Sequence, residues 1–265
     1  MGLLFWLWVP LAIYALAPIL IKFSMKTQGA PQLLAVDPAQ WPPQIAETLR
    51  RHEYDLYNMG FEISDRLAMP NAMPNTSTIL TMLVNRTSGE KAMITAIFGT
   101  ANGITTLGTL YVEFSSRYPD GRCFDTINSP KLSSFACAPT DVKTRVPQVQ
   151  NSADLLRVHR FMLRKHNAQG QPVTYPPGGA RNYLLRVWRE GFEEQVKFGR
   201  FQHRAGNDTF VPSWKGAYLM TWGELWPVTV IRRQQMLRRA AEVWTQVQAA
   251  DASVQSPFGA GAQRF

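Results

Sequence analysis

The segment from Leu3 to Phe23 constrains this chain more than any other: it carries no charge before Lys22 and almost no polar side chain. At about 1.5 Å per residue such a run reaches roughly 30 Å as a helix, the thickness of a bilayer's hydrocarbon core. A helix buried inside a globular domain ordinarily keeps one polar face, and this one has none. The run therefore reads as an uncleaved single-pass anchor over residues 1–26. Pro10 and Pro18 would bend it, which lipid-embedded helices tolerate. Leu3, Trp6 and Trp8 lie in its first turns, where the two tryptophans fit an aromatic belt. A cleaved signal peptide would need a basic leader, a shorter apolar stretch and a small-residue cleavage site. Here only Met1 and Gly2 precede the run, and Lys22 and Lys26 follow it. Positive charge on that flank alone predicts an N-terminus outside and a C-terminal domain in the cytoplasm, as in a bacterial inner membrane.

The rest of the 265-residue chain has room for one domain or two small ones. A hydrophobic fraction of 45% excludes wholesale disorder. A net charge of +9 favours anionic surfaces, namely lipid headgroups, nucleic acid or an acidic protein face. Only Cys123 and Cys137 are present, too few for a disulfide framework or a four-cysteine zinc site.

Along the chain, Gly29, Pro31 and Pro38 mark residues 27–41 as a linker. Pro42 and Pro43 suit the first turn of a helix that carries Ile45, Leu49, Leu56 and Met59 and stops at Gly60. Strands follow at Phe61 to Leu67, Thr78 to Val84, Lys91 to Phe98, Leu107 to Ser116 and Arg122 to Ile127, separated by turn sequences such as Tyr118-Pro119-Asp120-Gly121. Residues 129–149 read as loop. Helices are expected from Asn151 to Asn167, Ala180 to Phe198 and Val228 to Ala249, with a hairpin around residues 205–208 and a short helix capped by Ser213. The fold class is α+β: a transmembrane helix, then an antiparallel meander packed with several helices. The soluble domain spans 42–250, β-rich over 61–128 and helical over 151–250, ahead of a flexible tail at 251–265.

Candidate sites are few. His159 and His166 share a helix face but stand two turns apart, too far to bind one metal ion together. Glu190, Glu193 and Glu194 alternate with Arg186, Arg189 and Lys197, the pattern of a solvated helix face. No phosphate loop, dinucleotide fingerprint, nucleophile elbow or haem attachment sequence occurs, so no cofactor is expected. What stands out is the end of the chain. Trp214, Tyr218, Trp222 and Trp226 recur every four residues and lie along one helix face. Arg232, Arg233, Arg238 and Arg239 then crowd a helix whose apolar stripe is Val230, Leu237, Ala241 and Trp244, making it basic and amphipathic.

These features suit an accessory, structural or assembly subunit without turnover of its own. Its partners would be other subunits of a larger membrane complex, respiratory or photosynthetic, and the bilayer with its anionic headgroups. A tethered enzyme with a scattered site and a binder of anionic lipid or nucleic acid are the alternatives. Nucleic acid is disfavoured because the basic residues are spread out and no reading module is visible.

Overall fold

A computed structural model describes the backbone of residues 2–73, 76–101 and 104–255, and the side chains of 12–70, 76–99 and 105–252. It is an α+β fold with one large and one small sheet. The large sheet runs β2 (Leu34–Ala35), β3 (Glu62–Met73), β4 (Thr76–Val84), β5 (Lys91–Ala101), β6 (Ile104–Arg117), β7 (Cys123–Ile127) and β8 (Asp141–Arg145), in spatial order. Neighbours are antiparallel up to β7, but β8 lies parallel to β7. The meander is thus extended by a strand inside the stretch expected to be loop. Prolines at 130, 139 and 147 masked it, and five residues are too few for alternation to register.

Both faces of this sheet are covered. On β6, Val112, Phe114 and Ser116 are buried on one face. That face packs under α2 (Pro43–Asn58), α3 (Ser152–Lys165) and α6 (Val228–Gln255), which share a core cluster with it. The opposite face meets α4 (Ala180–Lys197) through Leu67, Leu80, Met82, Val84 and Tyr183. Coverage on both sides explains why β4 is apolar and buried from Thr78 to Val84. Local signals act as their chemistry requires. Pro43 opens α2, Gly60 ends it at φ +85°, and the Asn151 carboxamide caps α3 by accepting from the amides of Ala153 and Asp154.

The small sheet joins β1 (Thr27–Gln28), β10 (Thr209–Pro212) and β9 (Phe201–Arg204), and its Phe201 and Phe210 pack on Phe192 of α4. Residues 27–41 therefore supply one strand to each sheet.

The expected membrane topology is corrected here. Among the described residues no helix is long and apolar enough to cross a membrane. The N-terminal run is helical, α1 (Gly2–Ser24), but its described half is committed to the fold. It packs against α5 (Trp214–Glu224). The Lys22 ammonium donates to the Pro212 carbonyl at 2.7 Å, the Trp222 indole donates to the Tyr14 carbonyl at 3.4 Å, and Pro18 is buried. Lys22 thus serves an intramolecular contact rather than a headgroup, and the argument for the expected sidedness goes with it. Leu3, Trp6, Trp8 and Pro10 lie outside the residues whose side chains are described, as does the tail beyond Gln255.

Candidate functional site

Ser213 starts α5: its hydroxyl accepts from the Gly216 amide at 3.0 Å. The helix then turns its small residues inward. Gly216, Ala217, Thr221 and Gly223 are buried, while Trp214, Leu219 and Trp222 are exposed, Tyr218 is half-buried, and Met220 packs against the small-sheet core. Close approach is the reason. A Cβ on Gly216 would stand 1.9 Å from the Arg200 carbonyl oxygen, and one on Gly223 would stand 2.5 Å from the Arg232 guanidinium. With the inner face reserved for small residues, the aromatic row is left outside. Trp214, Trp222 and Trp226 are 48%, 43% and 74% exposed. The rings on α5 form a ladder, Trp214–Tyr218 at 6.4 Å and Tyr218–Trp222 at 5.0 Å, extended to α1 by Phe23 edge-on to Trp214 at 5.8 Å, while Trp226 lies past the helix end at Glu224.

The ladder belongs to a broader patch. Of eighteen exposed large hydrophobic residues among those described, thirteen belong to α1, to α5 and its following loop, or to the start of α6. They include Leu16, Leu20, Leu219, Val230, Ile231 and Leu237. Folded monomers rarely leave so much apolar surface contiguous without a use for it.

The structure separates the predicted arginines. Arg233, Arg238 and Arg239 are exposed and have no acidic partner among the described residues. Arg232 is a half-buried clasp, donating to the Gly223 carbonyl at 3.1 Å and the Ser133 carbonyl at 2.7 Å. Trp244 is half-buried against the main core and lies away from the patch. The stripe of α6 that enters the core is Met236, Ala240, Val243 and Val247, one step round from the expected Val230, Leu237 and Ala241, which face out. Lys26 is exposed.

A second feature lies on the other side of the large sheet. A cavity of about 340 Å³ opens between α4 and strands β5 to β8. Cross-strand register lines up Lys91, Ser115, Asp125 and Lys143 in one row, with Arg117, Cys123 and Asp141 in the next. Glu113 stands diagonal to Asp125, and its carboxyl makes no hydrogen bond or ion pair among the described residues. Burial, reinforced by the Asp125 carboxylate, pushes its carboxyl up to about 7. Burial also pushes the Lys91 ammonium down to about 8, although Lys91 donates to the Val173 carbonyl at 2.6 Å and sits 5.3 Å from the Tyr183 ring centre. The Cys123 thiol is pushed up to about 12, first by burial and then by Asp125, so it stays protonated.

In the sequence, Cys123 stood out only as one of two cysteines, and Glu190 and Glu194 only as part of a solvated helix face. The cavity as a whole did not stand out, because its residues are single positions scattered over four strands and a helix. One signal was present. Glu113 and Arg117 alternate with the buried Val112, Phe114 and Ser116 on a strand whose both faces are covered.

The histidines are accounted for. His159 is buried, and its ring nitrogens lie 2.9 Å from the Ser116 hydroxyl and 3.1 Å from the Thr126 hydroxyl, while His166 is exposed at the end of α3. Neither a protein-family model, nor a curated protein, nor a solved structure matches this chain.

Proposed function

We propose that this chain is an accessory subunit without turnover of its own, which docks a larger protein partner on the outer face of α1, α5 and the first turns of α6. The single observation that carries this reading is the inverted α5, with glycine, alanine and threonine inside and a tryptophan–tyrosine ladder outside. Large rigid aromatics supply contact area at low conformational cost and anchor protein interfaces. The exposed arginines select the occupant. A second copy of this chain, at net charge +9, would bring like charges together, so the partner is a different protein with an apolar face flanked by carboxylates. The most suggestive chemical groups elsewhere have structural duties: His159 is held between two hydroxyls and the Cys123 thiol is kept protonated.

The test is stoichiometric co-purification of the tagged full chain at native expression level, read by native mass spectrometry with hydrogen exchange on the isolated complex. Protection of α1 and α5 is expected in the complex. Trp222→Ser with Trp226→Ser should abolish association. Arg233→Gln, Arg238→Gln and Arg239→Gln together should weaken it and reduce its salt sensitivity, since exposed charges are screened over about 8 Å at physiological ionic strength. A chain that purifies as a lone monomer, or that binds anionic vesicles in place of a protein, would sink the proposal. So would tryptophan variants that keep the partner.

A further inference from the structure

We propose that the cavity between α4 and strands β5 to β8 binds a small organic cation, a primary amine or guanidinium compound, with its charged group on the Glu113 carboxylate. The volume, about 340 Å³, lies at the small-molecule end of the range for ligand pockets. The charges within it do not balance. Five carboxyl groups line the cavity, from Glu113, Asp125, Asp141, Glu190 and Glu194, against the cations of Lys91, Arg117 and Lys143. This acidic surplus occurs in a chain with 28 lysines and arginines against 19 acids.

Pairing decides which groups remain for a ligand. Arg117 is taken by Glu190 at 2.7 Å, Lys143 by Asp125 at 3.7 Å, and Glu194 by Lys197 at 3.0 Å, outside the cavity. Lys91 is occupied by the Val173 carbonyl and the Tyr183 ring. Among the lining ions this leaves the carboxyls of Glu113 and Asp141 without an ion pair, although Lys143 and Arg145 lie close enough to Glu113 to favour its charged form. Two neighbouring half-buried carboxyls, Glu113 and Asp125, cannot both ionise cheaply. A proton on Glu113 relieves the pair in the empty cavity, and an ammonium or guanidinium group in the same place would do so instead. Its carbon skeleton would lie against Met93, Leu184 and Val187. A metal ion fits less well, because no cluster of three or more potential ligand side chains occurs among the described residues.

Binding should therefore expel the Glu113 proton. After burial, the groups that set its titration are Asp125 on β7 and Lys143 and Arg145 on β8. The other titratable groups facing the cavity are Lys91 on β5, Arg117 on β6, Cys123 on β7, Asp141 on β8, and Tyr183, Glu190 and Glu194 on α4. Only the ionised carboxyl takes a cation, so affinity rises with pH up to about 7 and levels off above it.

The experiment is calorimetric titration of the full chain with putrescine, agmatine, ethanolamine and choline, with inorganic phosphate and acetate as anionic probes. At least one amine should bind, about tenfold more tightly at pH 8 than at pH 6, with proton release near pH 7. Glu113→Gln should lose binding while staying folded, with an unfolding midpoint no lower than the parent's. Val187→Trp, which fills the cavity and leaves the carboxyl in place, should lose it too. The proposal is overturned if none of the amines binds, if phosphate or acetate binds in their stead, or if either variant binds amines as the parent does.

Discussion

Replacing Glu113 with glutamine shows what a half-buried carboxyl beside a second carboxylate does to the stability of this fold. The folded chain holds this group at about 7 against an ordinary 4.5, mainly because burial disfavours the ion and secondarily because Asp125 repels it. Such a displacement corresponds to about 3 kcal/mol. Between pH 4.5 and 7 the unfolded chain has released this proton while the folded chain still holds it. The folded state binds more protons in that window, so Glu113 costs stability as pH rises through it, and the loss levels off once the folded group has ionised. Glutamine is nearly isosteric and does not titrate. Apart from Asp125, which loses its repelling neighbour in the variant, other groups contribute alike to both proteins, so the difference between variant and parent reports the Glu113–Asp125 pair. That difference should move in the variant's favour by about 2 to 3 kcal/mol between pH 5 and pH 8. For a chain of this size the equivalent shift in Tm is roughly 5–10 °C. Urea unfolding of both proteins at the two pH values measures it directly. A difference that is constant across this range would refute the reasoning, because the carboxyl would then titrate alike in the folded and unfolded chains.

Two further outcomes follow from the same structure. His159, held at about 4 by burial, stays neutral when folded while the unfolded chain takes up a proton below pH 6.5. Stability should thus fall as pH drops from 6.5 towards 4, and His159→Gln should remove about 3 kcal/mol of that pH dependence in guanidinium unfolding. Gly216→Ala should destabilise by about 1–3 kcal/mol in thermal unfolding, because its Cβ meets the Arg200 carbonyl. A gain, which helix propensity alone would give, would mean that α5 does not sit against the Arg200 carbonyl as described.

What could be read from the sequence tracks how far each signal depends on neighbours in the chain. Helices α2, α3 and α4 are announced by local chemistry: prolines at a first turn, an asparagine cap, a glycine stop, apolar residues at helical spacing. Strands β4 to β7 are similarly visible because alternation and turn residues coincide. β8 is not, since five residues of mixed character become a strand only when β7 lies alongside. The N-terminal run shows the same limit from the other side. Apolar character without a polar face matches a lipid-spanning helix, and it also matches a helix laid on α5 and β10 through the Trp222–Tyr14 and Lys22–Pro212 bonds. Composition cannot tell these apart, because both ask only that water be kept off one surface.

The two functional features divide along that line. The tryptophan ladder is a sequence-local pattern and could be picked out at once, although whether it faced core or solvent depended on Gly216 and Gly223 meeting distant backbone and side-chain atoms. The cavity has no local pattern at all. Its Lys91, Glu113, Asp125 and Lys143 come from four strands, and only the register of β5 to β8 brings them together. A carboxyl on a half-exposed strand is ordinary. The same carboxyl becomes chemically distinctive once α4 covers that face and Asp125 stands beside it, since burial and repulsion together keep it protonated near neutral pH. The property that makes Glu113 a candidate ligand site is thus created by tertiary packing, and it also strains the fold. A cation that relieves this strain should raise the stability of the parent chain but not that of Glu113→Gln, which ties the binding measurement and the unfolding measurement to one carboxyl group.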